Sequence, residues 1–435
     1  MATQDTAVHD KDARHDERRV AKNIVRGSVG NLIEWYDWYA YTAFSVYFAA
    51  AFFPSGDQTA QLLNTAAVFA VGFLMRPIGG WVLGRYADRR GRRSALTLSV
   101  TLMAAGSLIV ALTPSYDTIG VVAPVMLVTA RLLQGISVGG EYSTSATYMS
   151  EMATPGKRGY YSSFQYVTLI AGQLTALGLQ IVLQSVLSDG QMESWGWRIA
   201  FVVGAAGAVV VLWLRRGMDE SESFEQARSD GDRGSLRTLL SYPRQCLVVV
   251  GLTMGGTLFF YTYTTYLQKF MVNTSGIAKP TAAWINFCAL LVFVCLQPLM
   301  GRLSDRVGRR PLLIGFGVLG ALVVVPSLTL LSHTDNPYYA FALMVVPLAI
   351  SSLYTSISAV VKAELFPTAI RALGVGLPYA LTVALFGGTA EYIALWFKDI
   401  GHETWYFYYV TACVLVSLLV YIRMRETSDG SPLDD

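Results

Sequence analysis

Charge is scarce in this 435-residue chain. Asp, Glu, Lys and Arg make up 14% of it, against about 25% in an average soluble domain, and they cluster, leaving long stretches with few or none. Histidine is scarcer still, with only His9, His15, His333 and His402. The four cysteines, Cys246, Cys288, Cys295 and Cys413, all fall inside apolar stretches, which excludes a disulfide scaffold and a cysteine-built metal site. Two strings are absent: the Gly-x-x-x-x-Gly-Lys loop that cradles nucleotide phosphates, and the His-Glu-x-x-His of metalloproteases. ATP-driven work is excluded with the first; no enzyme activity, cofactor or metal is expected. Residues 1–20 are polar and lack an apolar core, so they do not read as a cleavable signal peptide.

What fills the chain is apolar, 53% by count. A bilayer-spanning helix needs roughly 20 mostly apolar residues, and twelve such runs occur, near 24–52, 61–85, 94–113, 119–149, 160–187, 197–214, 245–269, 282–303, 311–332, 338–363, 370–397 and 403–424. These runs are too long for the strands of a barrel, so the fold expected is an all-α polytopic membrane protein. Arginines crowd alternate loops, at Arg85 to Arg93, Arg306 to Arg310 and through the centre of the chain. The opposite loops (53–60, 114–118, 188–196, 333–337) hold no Lys or Arg, with Lys269, Lys279 and Lys398 as exceptions. Positive charge stays on the inner face, which predicts cytoplasmic termini in a bacterial inner membrane. The basic loops read as topology signals, so lipid and not nucleic acid is the expected surrounding.

One string occurs twice. GRYADRRGRR (84–93) and GRLSDRVGRR (301–310) share seven of ten positions at an offset of 217 residues, half the chain. Glu151 and Arg158 are echoed by Glu364 and Arg371. A half-chain period means a duplicated unit: twelve transmembrane helices in two six-helix pseudo-repeats. The boundaries expected are a disordered tail at 1–20, helical bundles at 21–215 and 244–425, a polar linker at 216–243 and a tail at 426–435. Two such halves are the plan of secondary transporters, which bind at the midplane and rock between access states. In each repeat, glycine (Gly91, Gly308) makes the turn, and Asp88 or Asp305 is expected to meet a helix N-terminus or an arginine. Arg92 and Arg93 are matched to Glu151, and Arg309 and Arg310 to Glu364, with Arg158 and Arg371 joining. This set is expected to latch the cytoplasmic side.

Beyond the repeat, NLIEWYDWYAY (31–41), GFLMRPIGGW (72–81), ARLLQGISVGGEYSTSATYMSE (130–151), SSFQYVTLIAGQL (162–174) and KAELFPTAIRALGVGLPYA (362–380) resemble the metabolite:proton symporters of the major facilitator superfamily. The likeness spans roughly residues 20–425. It implies the major facilitator fold and proton-driven import of a small organic anion by a functional monomer. The expected substrate is a dicarboxylate, 2-oxoglutarate first, with citrate, shikimate or a zwitterionic osmolyte as alternatives. A non-transporting sensor of the same fold is a further alternative. Carriers of this kind can hold histidine in the first repeated loop, where this chain has Arg90.

Ionisable residues at bilayer depth are costly and so are candidates for function. In span 1, Asn31, Glu34, Asp37 and Tyr41 recur every three to four residues, forming one polar stripe. For a dianion the candidate contacts are Arg76, Arg131, Gln134, Gln165, Tyr261, Lys362 and, at the outer vestibule, Arg198. With no histidine at depth, a carboxylate must carry the proton; Glu34 and Asp37 lead, followed by Glu141.

Overall fold

The computed structural model describes residues 32–90, 92–139, 156–215, 239–367 and 370–428. In lipid each backbone N–H and C=O must be satisfied within the protein, which a helix does segment by segment. The apolar runs are accordingly helices, with no strand among the described residues. They are α1 (32–52), α2 (Gln58–Arg90), α3 (Arg92–Leu112), α4 (Val122–Val138), α5 (Arg158–Val186), α6 (Trp197–Arg215), α7 (Pro243–Asn273), α8 (Lys279–Val307) and α9 (Arg309–Ser332). There follow α10 (Pro337–Glu364, interrupted between Thr355 and Ser358), α11 (Arg371–Thr382 and Ala390–Asp399, joined through a π turn at Val383–Gly387) and α12 (Glu403–Arg423). Among the described residues nine helices are long and apolar enough to cross a membrane, and Thr97–Leu112 and Val122–Val138 are shorter apolar ones. The chain is an all-α polytopic membrane protein.

The sequence repeat reappears as a repeat of packing. In the first half α2 lies on α4, α3 on α4 and α3 on α6; in the second, α8 lies on α10, α9 on α10 and α9 on α12. The halves meet along two matching seams, α5 against α8 and α2 against α11. Small residues let backbones approach where lipid gives no hydrophobic drive. A Cβ added at Gly135 of α4 would overlap the Gly72 carbonyl of α2, and one at Gly139 the Arg76 carbonyl. Arg76 and Arg131 are thereby carried on two helices in backbone contact. Across the halves, a Cβ at Gly159 would lie 2.6 Å from the Gly301 carbonyl oxygen.

One detail departs from the sequence reading. Span 7 does not end at residue 269: a π turn at Thr262–Tyr266 carries α7 on to Asn273, so Lys269 lies inside the helix and buried, not in an outer loop. A charge ended the apolar run in the sequence, although it does not end the helix. The loop between α8 and α9 is a single residue, Gly308, at φ +93°, a conformation suited to glycine; Gly91 lies outside the described residues.

Candidate functional site

The polar stripe of α1 faces inward. Glu34, Asp37 and Tyr41 are all buried; Asn31 lies outside the described residues. Asp37 is held by three neighbouring helices. The Ser107 hydroxyl of α3 donates to its Oδ1 at 2.5 Å, and Gln134 Nε2 of α4 donates to its Oδ2 at 2.6 Å. Gly204 of α6 gives the carboxylate room, since a Cβ there would strike Oδ1. Gln134 in turn accepts from Arg131 Nη1 at 2.7 Å. The order Arg131–Gln134–Asp37 is therefore a relay, with the glutamine amide standing between cation and carboxylate.

Both arginines sit among aromatic rings. The Arg131 guanidinium carbon is 4.2 Å from the centre of Trp38, 4.4 Å from Tyr41 and 5.3 Å from Phe69. Arg76 is 4.3 Å from Trp38, 4.0 Å from Phe73 and 5.3 Å from Trp35. Such contacts stabilise a desolvated cation by about 2 kcal/mol while leaving its N–H groups unspent. Nε and Nη2 of both arginines are buried with no hydrogen-bond partner among the described residues. Buried donors are normally paired, so these are suited to an anion that the protein does not itself supply.

The second half closes this centre from α7 and α11. Tyr261 lies beside Arg76 and Tyr39, and its ring meets Phe73 edge-on at 5.2 Å. Tyr263 turns away to Ser327 of α9, 2.6 Å between hydroxyls. Gln165 and Gln173 of α5 are buried, and Gln173 Nε2 donates to the Thr264 carbonyl in the α7 π turn at 2.5 Å. Lys362 is buried, with Nζ 4.0 Å from the Tyr379 ring centre. It lies two residues from Glu364, nearer the arginine-loop face than Arg131 is.

Arg198 has a different engagement from the one expected. Its Nη1 donates to the carbonyls of Ala111 and Thr113 at 2.8 and 2.6 Å, and its guanidinium stacks on Trp197 at 4.3 Å. Terminal carbonyls of a helix lack intrahelical donors, and Arg198 supplies them to α3; this correction makes it an anchor of the first bundle. The sequence reading also passed over Gly135–Ile136–Ser137–Val138–Gly139, which spells the Gly-x-Ser-x-Gly of a nucleophile elbow. Ser137 is buried in α4 and bonds to Ser99, 3.0 Å between hydroxyls, so no elbow turn exists there.

At the arginine-loop face, Asp305 accepts from the backbone N–H of Gly159 and Tyr160 at 2.7 and 2.9 Å, capping α5 of the other half. Arg309 Nη1 bonds Asp305 at 2.8 Å, and its Nε lies 3.6 Å from Glu364. Arg310 does not join Glu364 as expected; its Nη2 donates to the Ile422 carbonyl at 2.7 Å, because α12 passes closer. Arg371 Nε donates to the Phe366 carbonyl at 3.2 Å. Arg158 lies within electrostatic range of Glu364. Glu141 and Glu151 lie outside the described residues, as do the side chains of Asp88, Arg92 and Arg93. A cavity of about 560 Å³ is bounded by Arg158, Asp305, Arg309, Glu364 and Glu426.

Glu426, beyond α12, was not singled out in the sequence. Its carboxylate accepts the backbone N–H of Arg309 and Arg310 at 2.9 and 3.0 Å, capping α9. Partial burial pushes its pKa up, but the Arg309 and Arg310 amides and Ser428 outweigh that and leave it below the usual 4.5. A lowered folded-state pKa adds stability that is present above 4.5 and lost as pH falls through the folded value. Glu426→Ala is expected to speed hydrogen exchange at Arg309 and Arg310 by about five-fold, as for a cap worth ~1 kcal/mol. Acidification below pH 4.5 should lower the protection factor of the same two amides in the parent chain, taken against intrinsic exchange at each pH, and unchanged protection in the variant would rule the cap out.

Set beside known proteins, the chain matches the model of the sugar (and other) transporter family over residues 24–233 and again over 215–432. It is similar to the alpha-ketoglutarate permease of Escherichia coli (strain K12), 52% identical over 433 residues and covering all of both chains. It is 33% identical over 374 residues to the citrate-proton symporter of Klebsiella pneumoniae, covering 85% of this chain and 84% of that one. Among solved structures, the crystal structure of D-xylose-proton symporter matches with a TM-score of 0.73 over 95% of this chain and 99% of the other. At 19% identity that likeness shows the fold alone.

Proposed function

Because the chain belongs to the sugar (and other) transporter family, we propose that it imports 2-oxoglutarate together with protons by alternating access. The observation that carries this reading is the buried pair Arg76 and Arg131, whose Nε and Nη2 donors have no acceptor among the described residues. A carboxylate offers two oxygens to such a fork, and the planar guanidinium suits it. Substrate specificity is supported by the 52% identity to a carrier named for alpha-ketoglutarate.

The proton is assigned to Asp37, with Glu34 beside it on the same stripe. Gln134 links Asp37 to Arg131, so a substrate carboxylate that draws Arg131 away also disturbs the donors of Asp37. Tyr261 and Lys362 contribute from the second bundle. The two bundles, 21–215 and 244–425, rock about the α5–α8 and α2–α11 seams. The Asp305–Arg309–Glu364 cluster is the cytoplasmic latch, with both termini on that side of the bacterial inner membrane. The working unit is the monomer, and the role is transport rather than catalysis.

The test is uptake of radiolabelled 2-oxoglutarate into proteoliposomes with an alkaline interior. Accumulation above equilibrium that collapses with the gradient is expected. Uptake that is absent, or indifferent to the gradient, would overturn the reading. Citrate, the substrate named for the 33% relative, is the competitor to run beside it.

A further inference from the structure

Lys269 of α7 and Glu391 of α11 form an ion pair sealed from solvent, with side chains 2% and 3% exposed. Three observations set it apart from a brace. First, the pair uses only Oε1 of the carboxylate; Oε2 is buried with no hydrogen-bond partner among the described residues. Second, each partner lies within about a turn of a π turn, Thr262–Tyr266 below Lys269 and Val383–Gly387 below Glu391. Single π turns inside α-helices gather at functional positions. Third, Tyr41, Tyr266 and Tyr406 all lie within electrostatic range of Glu391. The Tyr41 ring also faces Arg131 at 4.4 Å, so one side chain of α1 touches the arginine of the first half and borders the pair of the second.

We propose that Lys269 is the second carboxylate ligand of the substrate site, and that Glu391 is the protein's own stand-in anion, exchanged for a substrate carboxylate during the cycle. The proposal rests on the transport reading above. Its logic is charge balance. Stripping one partner from a buried ion pair is strongly unfavourable, so Lys269 cannot be released by a neutral solute. A carboxylate arriving as Glu391 leaves keeps the lysine paired throughout. A dianion can then hold Arg131 with one end and Lys269 with the other, while a monoanion of the same length secures only one cation. The released Glu391 stays within electrostatic range of Tyr41, Tyr266 and Tyr406. Discrimination for two carboxylates over one follows from this exchange.

Uptake kinetics of Lys269→Met, Glu391→Gln and the charge-neutral double variant test it, with 2-oxopentanoate as the one-carboxylate competitor. The double variant removes both charges together and so preserves balance; its melting midpoint confirms folding. It should show a KM for 2-oxoglutarate raised about ten-fold, the loss of one charged contact. Its preference over 2-oxopentanoate should fall by a similar factor. A merely structural pair would be rescued by the double variant, and wild-type KM and preference there would overturn the proposal. Glu391→Gln keeps Lys269 and removes its internal competitor, so its KM should fall several-fold; an unchanged or raised KM also overturns it. Failure of the parent chain to take up 2-oxoglutarate would instead reject the transport reading, which keeps the two failures apart.

Discussion

Arg131→Gln is expected to lower kcat/KM for 2-oxoglutarate uptake by about 100-fold or more, the largest effect of any single change in the chain. Truncating one member of a buried, hydrogen-bonded charge contact costs about 2–5 kcal/mol, and each 1.4 kcal/mol is a factor of about ten. Glutamine keeps a polar head in the ring box formed by Trp38, Tyr41 and Phe69, but it offers neither charge nor the two-pronged fork. Arg131→Lys separates these: it restores charge without the planar stack and fork, and should recover about a tenth of the activity. Transport in Arg131→Gln within three-fold of the parent, at matched amounts of folded protein in the membrane, would remove Arg131 from the substrate site.

Asp37→Asn is expected to abolish uphill accumulation while sparing exchange. Each proton moved down one pH unit supplies about 1.4 kcal/mol, a concentration ratio of about ten. Without that proton the ratio across the bilayer should settle at one, whatever the gradient. Substrate-for-substrate counterflow needs no net proton movement and should continue. The asparagine still accepts from one of Ser107 and Gln134, which hold Asp37 at 2.5 and 2.6 Å, so the local fold has a reason to survive. Full pH-driven accumulation in Asp37→Asn and in Glu34→Gln would remove both residues from proton coupling.

The lipid-facing pattern made the helices legible, because a span must be apolar for about twenty residues wherever it sits in the chain. The 217-residue echo of the arginine loop made the duplication legible, and the α3–α6 and α9–α12 pairs display it as packing. Within the site, the three-to-four spacing of Glu34, Asp37 and Tyr41 put them on one face, and Gln134 stood one turn beyond Arg131. What the sequence hid were contacts between distant segments. Glu426 reaches a backbone 117 residues away, and nothing in a polar tail announces that. Arg198 was read by its depth, when its partners are carbonyls at the end of α3, which any residue type could have supplied. Lys269 was mistaken for a loop residue because a lone lysine at the edge of an apolar run looks the same whether it meets water or a buried glutamate 122 residues on.

The indole of Trp38 lies within 4.3 Å of both guanidinium groups, Arg76 and Arg131. An excited indole shifts its emission with the field of nearby charge, and here two cations set that field. When a carboxylate pulls either guanidinium off the ring, the colour of the emitted light must change. The carrier therefore holds a native optical sensor at its centre. With the other eight of its nine tryptophans replaced by phenylalanine, the turnover cycle could be watched in real time without any attached dye.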